Sequence, residues 1–205
     1  MHMNHFIKMI AIVSSLIVPL TAHAAYILTL DQVGNNVIAT GGGSIDLADL
    51  AFFSSGFDVA LLDPDLTIII AGSAASSPDS YYSGIAGPAG FGSGSGSDAT
   101  SGAGGVVGIV AASGKIIVPD SYASGASLGT STSTFDNTTL AALGVTPGTY
   151  EWTWGTGPDA DSFTLDAGTA SNPESAPEPA TLSLLAAGLA GIGLVRRPRN
   201  TIASD

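Results

Sequence analysis

Cysteine is absent from the 205-residue chain, and all of its histidines and methionines lie within the first 23 residues. The segment from Ala25 to Ala176 therefore contains no thiol, imidazole or thioether. This excludes Ser-His-Asp and Cys-His nucleophiles, His or Cys zinc sites, and haem or iron–sulfur ligation by those side chains. Without disulfides the segment must be stabilised by packing, which about 150 residues can achieve with one core.

Basic residues are also scarce in this segment. Lys115 is its only base and is opposed by fifteen acidic residues, so the net charge is −14. Such a surface repels the phosphates of nucleic acids and of anionic lipids, and we expect no nucleic-acid partner. Neither a catalytic motif nor a phosphate-binding loop is present, so we expect no enzyme. Paired aspartates acting on a glycosidic bond remain a minor alternative, because sequence does not reveal the separation of two carboxyl groups.

The first residues have the pattern of a secretory signal peptide. Lys8 precedes a mostly apolar stretch from Met9 to Leu20, and small residues follow at Ala22 and Ala24. A signal peptidase needs small residues at these two positions of its cleavage site. We therefore predict that residues 1–24 are removed by cleavage between Ala24 and Ala25.

A second apolar run, from Ala180 to Val195, lies close to the last residue of the sequence. Its sixteen residues carry no charge and would form a helix of about 24 Å, slightly shorter than a ~30 Å hydrocarbon layer. The basic cluster Arg196, Arg197 and Arg199 follows directly. Arginines beside a membrane span favour the cytoplasmic side. We predict an inner-membrane helix within residues 177–199, a cytoplasmic tail at 200–205, and residues 25–176 on the outer side.

The tripeptide Pro177, Glu178 and Pro179, the Gly/Ala/Leu-rich helix and the arginine stop together resemble the PEP-CTERM sorting signal of Gram-negative bacteria. This resemblance covers about residues 175–199. It implies that an exosortase, an integral membrane enzyme, recognises and processes the tail. Substrates of that system are commonly associated with extracellular polysaccharide and biofilm. Segments such as 38–46 and 84–88 also resemble a group of small secreted PEP-CTERM proteins that has no assigned activity.

Short alternating segments predict a mainly β fold for residues 25–166. Gly34, Asn35 and Asn36 separate two such segments in a predicted hairpin, and Ser113-Gly114 separates two more. Frequent glycine and many short strands favour a single β-sandwich-like domain, with a looser, partly disordered body as the alternative.

Three other segments receive specific predictions. The Gly/Ser-rich stretch 73–105 is expected to form loops with at most one short strand. Residues 138–143 are expected to form one short helix, capped by Asp136 or Asn137 and ended by Gly144. Residues 167–176 lack periodicity and are predicted to be a linker.

Three aromatic residues, Tyr150, Trp152 and Trp154, recur at every second position. On a strand their rings share one face. An exposed row would stack on sugar rings and form a carbohydrate-binding face. The alternative is that the rings fill the core of a chain with few aromatics.

Two pairs of closely spaced aspartates are weak candidates for calcium: Asp63 with Asp65, and Asp159 with Asp161. Carboxylate oxygens suit this ion, but no twelve-residue calcium loop is present. The alternative is that these aspartates are solvated turn residues, in which case no cofactor is needed.

These observations favour an exported cell-surface or extracellular-matrix protein. Its expected role is structural or adhesive, within exopolysaccharide or biofilm. The second hypothesis is a carbohydrate-binding module that uses the aromatic row, with or without calcium.

Overall fold

The computed structural model describes residues 25–168, and these residues form a mainly β structure, as the sequence predicts. The described part contains thirteen strands and two single-turn 3₁₀ helices, at residues 111–113 and 157–159. The strands are β1 (Ala25–Val33), β2 (Asn36–Ser44), β3 (Ala51–Asp58), β4 (Leu61–Asp63), β5 (Ile68–Ala71), β6 (Ser77–Ser83), β7 (Ser97–Asp98), β8 (Ser101–Ala103), β9 (Val107–Val110), β10 (Lys115–Pro119), β11 (Ser127–Phe135), β12 (Gly148–Trp154) and β13 (Asp161–Ala167).

The strands form two sheets. The first has the order β12-β13-β1-β2-β11-β8, and the second has the order β3-β6-β10-β9-β5-β4-β7. Both predicted hairpins are present: β1 pairs with β2 around Gly34, and β9 pairs with β10 around Gly114. Strand β1 also pairs in parallel with β13, from Ala25 beside Ser162 to Leu30 beside Ala167. The first and last strands of the described domain are therefore hydrogen-bonded to each other.

One hydrophobic core contains side chains from both sheets. The first sheet contributes Leu28 and Phe163, and the second contributes Ile69, Ile109 and Ile116, all of them almost inaccessible to solvent. The alternating burial along β1 and β13 is the two-residue period that the sequence shows. Because the facing surfaces of the two sheets bury these residues together, the domain has the packed layers that a disulfide-free chain requires.

The prediction of a short helix at residues 138–143 is wrong. The segment forms a single turn that ends in a Schellman arrangement, in which Val145 N–H donates to Leu140 O at 2.9 Å and Gly144 N–H donates to Ala141 O at 3.1 Å. The cap is Thr139, whose Oγ1 accepts from Ala142 N–H at 3.0 Å. Only four residues separate Thr139 from the left-handed Gly144, too few to extend a helix beyond its nucleus.

The prediction for residues 73–105 is also wrong, because this stretch contains three strands rather than at most one. The seven-residue strand β6 lies between β3 and β10 in the second sheet, and the short strands β7 and β8 pair with β4 and β11. The first four residues of β6, Ser77 to Ser80, carry little intrinsic strand preference, whereas Tyr81 and Tyr82 favour a strand. Pairing on both sides therefore decides its conformation.

Several predictions concern residues outside the described range. These are the signal peptide at 1–24 with Ala22 and Ala24, most of the linker 167–176, the sorting segment 177–199 and the tail 200–205. Within residues 25–168, no helix is long and apolar enough to cross a membrane. Ala25, the predicted first residue after signal cleavage, is the first residue of β1.

Candidate functional site

The aromatic row on β12 faces the protein core. Trp152 is fully buried and Trp154 is 5% exposed, whereas Tyr150 is half-buried. The indole Nε1 of Trp152 donates to Pro88 O at 3.0 Å, and that of Trp154 donates to Asp46 O at 2.7 Å. Of the two interpretations of the row Tyr150, Trp152 and Trp154, the structure therefore agrees with the core one and not with an exposed carbohydrate face, because the two indoles are buried and donate to backbone acceptors.

The four calcium candidates lie in separate turns. Asp63 is the last residue of β4 and Asp65 lies in the connection to β5, and Asp63 Oδ1 accepts from Leu66 N–H at 3.1 Å. Asp159 and Asp161 precede or begin β13, and both oxygens of Asp161 accept backbone N–H bonds at 2.6 Å. Within residues 25–168, no three His, Cys, Asp or Glu side chains are grouped so that they could hold a metal ion. Asp63 and Asp161 instead accept backbone hydrogen bonds at a turn and at a strand end.

A shallow surface pocket of about 220 Å³ is lined by Asn35, Asn137, Thr138 and Thr139. Its walls are the β1–β2 turn and the segment after β11, which are joined by a 2.9 Å bond from Thr138 N–H to Asn35 O. The lining groups are neutral amides and hydroxyls. The pocket therefore offers hydrogen bonds but no acid–base group.

The largest exposed apolar feature of the described domain is on strand β3. Phe52 is 60% exposed, Phe53 is 58% exposed and Phe57 is 74% exposed. Strand β3 lies at the end of the second sheet and pairs with β6 on one side. Phenylalanines exposed together on a sheet edge are typical of an interaction surface rather than of scattered surface hydrophobics. We call residues Ala51–Asp58 the β3 edge.

Lys115 contacts one end of the β3 edge. Its Nζ lies 3.8 Å from the centroid of the Phe53 ring, which is cation–π geometry. Phe53 is the extra residue of a β-bulge, since the pairing with β6 shifts register between Phe52 and Ser54. The only base among residues 25–168 is thus held over an exposed ring at this end.

Two carboxyl groups form the other end, which we call the acidic end: Asp58 and Asp79. Asp79 is fully buried, and no hydrogen-bond donor reaches either of its oxygens. Burial and, after it, the charge of the neighbouring Asp58 together raise the pKa of Asp79 to about 6. The nearby backbone N–H of Asp58 partly opposes these effects, and the more distant Asp120 adds to them. Two carboxyl groups this close favour a shared proton or a nearby cation.

Tyr81 completes the acidic end. Its hydroxyl donates a short hydrogen bond to Asp58 Oδ2. Burial raises the pKa of Tyr81, and the hydrogen bond and charge of Asp58 raise it further. The Tyr81 hydroxyl thus donates to Asp58 and not to Asp79. Among residues 25–168, no hydrogen bond of normal geometry reaches the carboxyl oxygens of Asp79.

Sequence reasoning missed the β3 edge and the acidic end. The run Ala51 to Asp58 has apolar residues at 52, 53 and 57, and the bulge at Phe53 breaks the two-residue period that would have identified a strand. Asp79 lies in a stretch whose composition predicts loops. Only the pairing of β3 with β6 brings it to Asp58.

The described domain is thus mainly β, acidic and without cysteine. The segments before and after it have the sequence patterns of targeting signals, as in exported proteins. The family profile of the PEP-CTERM protein-sorting motif matches residues 175–199, so the chain is a protein with a PEP-CTERM sorting domain. This motif implies an exported protein that an exosortase processes, with a membrane-anchored stage before processing. No curated protein and no solved structure gives a significant match to the chain.

Proposed function

We propose that the protein is a non-enzymatic component of the cell surface or extracellular matrix, with a structural or adhesive role in exopolysaccharide or biofilm. The single observation that carries this proposal is the PEP-CTERM motif at residues 175–199, which implies export and exosortase processing. In this proposal signal peptidase removes residues 1–24 and the inner membrane holds the C-terminal helix until it is processed. The β domain then reaches the cell surface or the extracellular matrix.

The surface chemistry of residues 25–168 supports a structural role. This part of the chain has no histidine or cysteine and only one lysine, so hydrolase sites that depend on a histidine base or a cysteine nucleophile are missing. The role requires no cofactor, and the acidic surface disfavours a nucleic-acid partner. The β3 edge supplies an apolar contact surface of the kind that adhesive proteins need.

The carbohydrate-binding alternative has no observation in its favour. The rings on which it depended are buried, and the aspartates that would have held calcium accept backbone hydrogen bonds or lie in separate turns. We therefore place any polysaccharide contact outside the aromatic row of β12.

Deletion of residues 177–199 tests the sorting part of the proposal. Fractionation of the producing cells should show that the deleted protein no longer passes through a membrane-bound stage and is not retained at the cell surface. The matched control deletes residues 201–205, which lie beyond the matched motif. That control should be sorted like the intact chain. Unchanged fractionation after the longer deletion would contradict the proposal.

A further inference from the structure

We infer that the β3 edge is a self-association surface, on which strand β3 of a second copy of this chain pairs antiparallel with the first. The inference uses only residues 25–168 and is independent of the sorting proposal. It gives the exported domain a way to form dimers at the cell surface.

The open side of β3 lacks lysine and proline, two of the usual protections of an edge strand, although the strand has a bulge at Phe53. Among residues 25–168, β3 pairs with β6 alone, so its other row of backbone N–H and C=O groups has no strand partner. Native edges are commonly blocked by lysine, proline or a covering segment. Strand β3 has neither lysine nor proline and instead exposes Phe52, Phe53 and Phe57. Its bulge lies at Phe53, which leaves Ser54 to Asp58 regular.

The charges along this edge are self-complementary. Lys115 lies over Phe53 at one end, and the carboxyl groups of Asp58 and Asp79 lie at the other. Antiparallel pairing about a two-fold axis brings each end of one copy to the opposite end of the other. The Lys115 ammonium group of each copy thus approaches the acidic end of its partner. This contact occurs twice in the dimer.

The direction of the side chains restricts the possible registers to those that pair residues of the same face. Ser54, Gly56 and Asp58 point to the same face of the sheet, since they alternate with Ser55 and Phe57 along the regular part of β3. Opposite residues of an antiparallel pair point to one face, so a register centred on Gly56 places Ser54 of one copy opposite Asp58 of the other. Phe53, and with it Lys115, lies next to that pair.

The negative charge of the chain means that two copies associate only where a cation lies at their contact, and the β3 edge provides one. The net charge of residues 25–176 is −14, which opposes association unless a cation is brought to the contact. Lys115 is the only such group in the described domain. The charges of Asp58 and Asp79 repel each other at the acidic end, so a cation that approaches Asp58 lowers this repulsion.

Cross-linking of the full chain in its producing cells tests the inference. The chain contains no cysteine, so a Ser55→Cys variant has one thiol, on the exposed part of β3. In the proposed register the two thiols of a dimer are diagonal neighbours at about 7–8 Å, within reach of a short bis-maleimide. The matched control is Ser113→Cys, an exposed serine in the β9–β10 connection. Covalent dimer should form at position 55 and be at background level at position 113.

Second-site changes separate this surface from other routes to a dimer. Adding Phe57→Ser to Ser55→Cys should reduce the yield of cross-linked dimer about tenfold, because interface aromatics carry much of the binding energy. Lys115→Glu should reduce it as well, and the double charge reversal Lys115→Glu with Asp58→Lys should restore it. Equal cross-linking at positions 55 and 113, no dimer at position 55, or no rescue by the double reversal would overturn the inference.

Discussion

Asp79 lies directly opposite Gly56 in the β3–β6 ladder, and the missing side chain of Gly56 leaves the space that Asp79 and Tyr81 occupy. A Cβ on Gly56 would lie 3.1 Å from Asp79 Oδ1 and 2.8 Å from Tyr81 Cε2. The glycine is needed here for space, since its backbone is not in the left-handed region. The acidic end therefore depends on the absence of a side chain on the edge strand.

Gly56→Ala is expected to destabilise the domain by about 1–3 kcal/mol, the usual cost of forcing an extra group into a packed site. Urea unfolding of the full chain measures the change. The matched control is Gly42→Ala on β2, where a Cβ would lie 3.4 Å from its nearest neighbour, Gly129 O. That variant should unfold within about 0.5 kcal/mol of the parent. Equal stabilities for the two variants would show that the acidic end does not need the space at Gly56.

Asp79 is expected to make the domain less stable as the pH rises from about 4 to about 6. Its carboxyl group has a pKa near 3.8 when unfolded and about 6 when folded, because burial and Asp58 disfavour the charged form. The unfolded chain therefore loses this proton first, and the free energy of unfolding falls across that interval. After a reduction for screening by solvent, this pKa shift lowers the free energy of unfolding by about 1–2 kcal/mol.

Asp79→Asn removes this ionisation and supplies a donor toward Asp58. The variant should therefore be more stable than the parent at pH 7.5 and similar to it at pH 3.5, as measured by thermal unfolding at both values. The control Asp136→Asn alters a carboxylate that is exposed beyond the end of β11. Its difference from the parent should be small at both pH values. If the difference in stability between the parent and Asp79→Asn is the same at both pH values, the raised pKa of Asp79 is contradicted.

The fluorescence of the two tryptophans is expected to be blue-shifted and poorly quenched by iodide, because Trp152 and Trp154 are buried. These are the only tryptophans in the chain, so the spectrum reports on this row alone. Added polysaccharide should leave the emission unchanged. Protein unfolded in guanidinium provides the control, since its emission should shift to longer wavelength and become quenchable. A shift on adding polysaccharide to the folded protein would restore the carbohydrate hypothesis.

The hairpins and the mainly β class could be predicted because their signals are local. The turn at Gly34 and the alternating residues of β1 lie within twenty residues of one another. The helix predicted at residues 138–143 had valid start and stop signals, but its length gave only one turn. Cap residues mark where a helix can begin and end, whereas its length decides whether it forms.

The candidate surface depends on contacts between residues that are distant in sequence. Asp58 and Asp79 are separated by 20 residues, and their proximity follows from the pairing of β3 with β6. The direction of the Trp152 ring likewise depends on which face of β12 meets the second sheet. Alternation on a strand shows that residues share a face, but the packing of the sheets decides whether that face is buried.

Mass spectrometry of the intact mature protein, purified from the cells that produce it, tests the central claim most directly. The account predicts an N-terminus at Ala25 and a C-terminus that lacks the segment from the processed sorting motif to Asp205. The matched control is the same protein from cells without a functional exosortase, in which the C-terminal segment should be retained. An exported protein from normal cells with residues 177–205 intact would contradict the claim that this tail is processed.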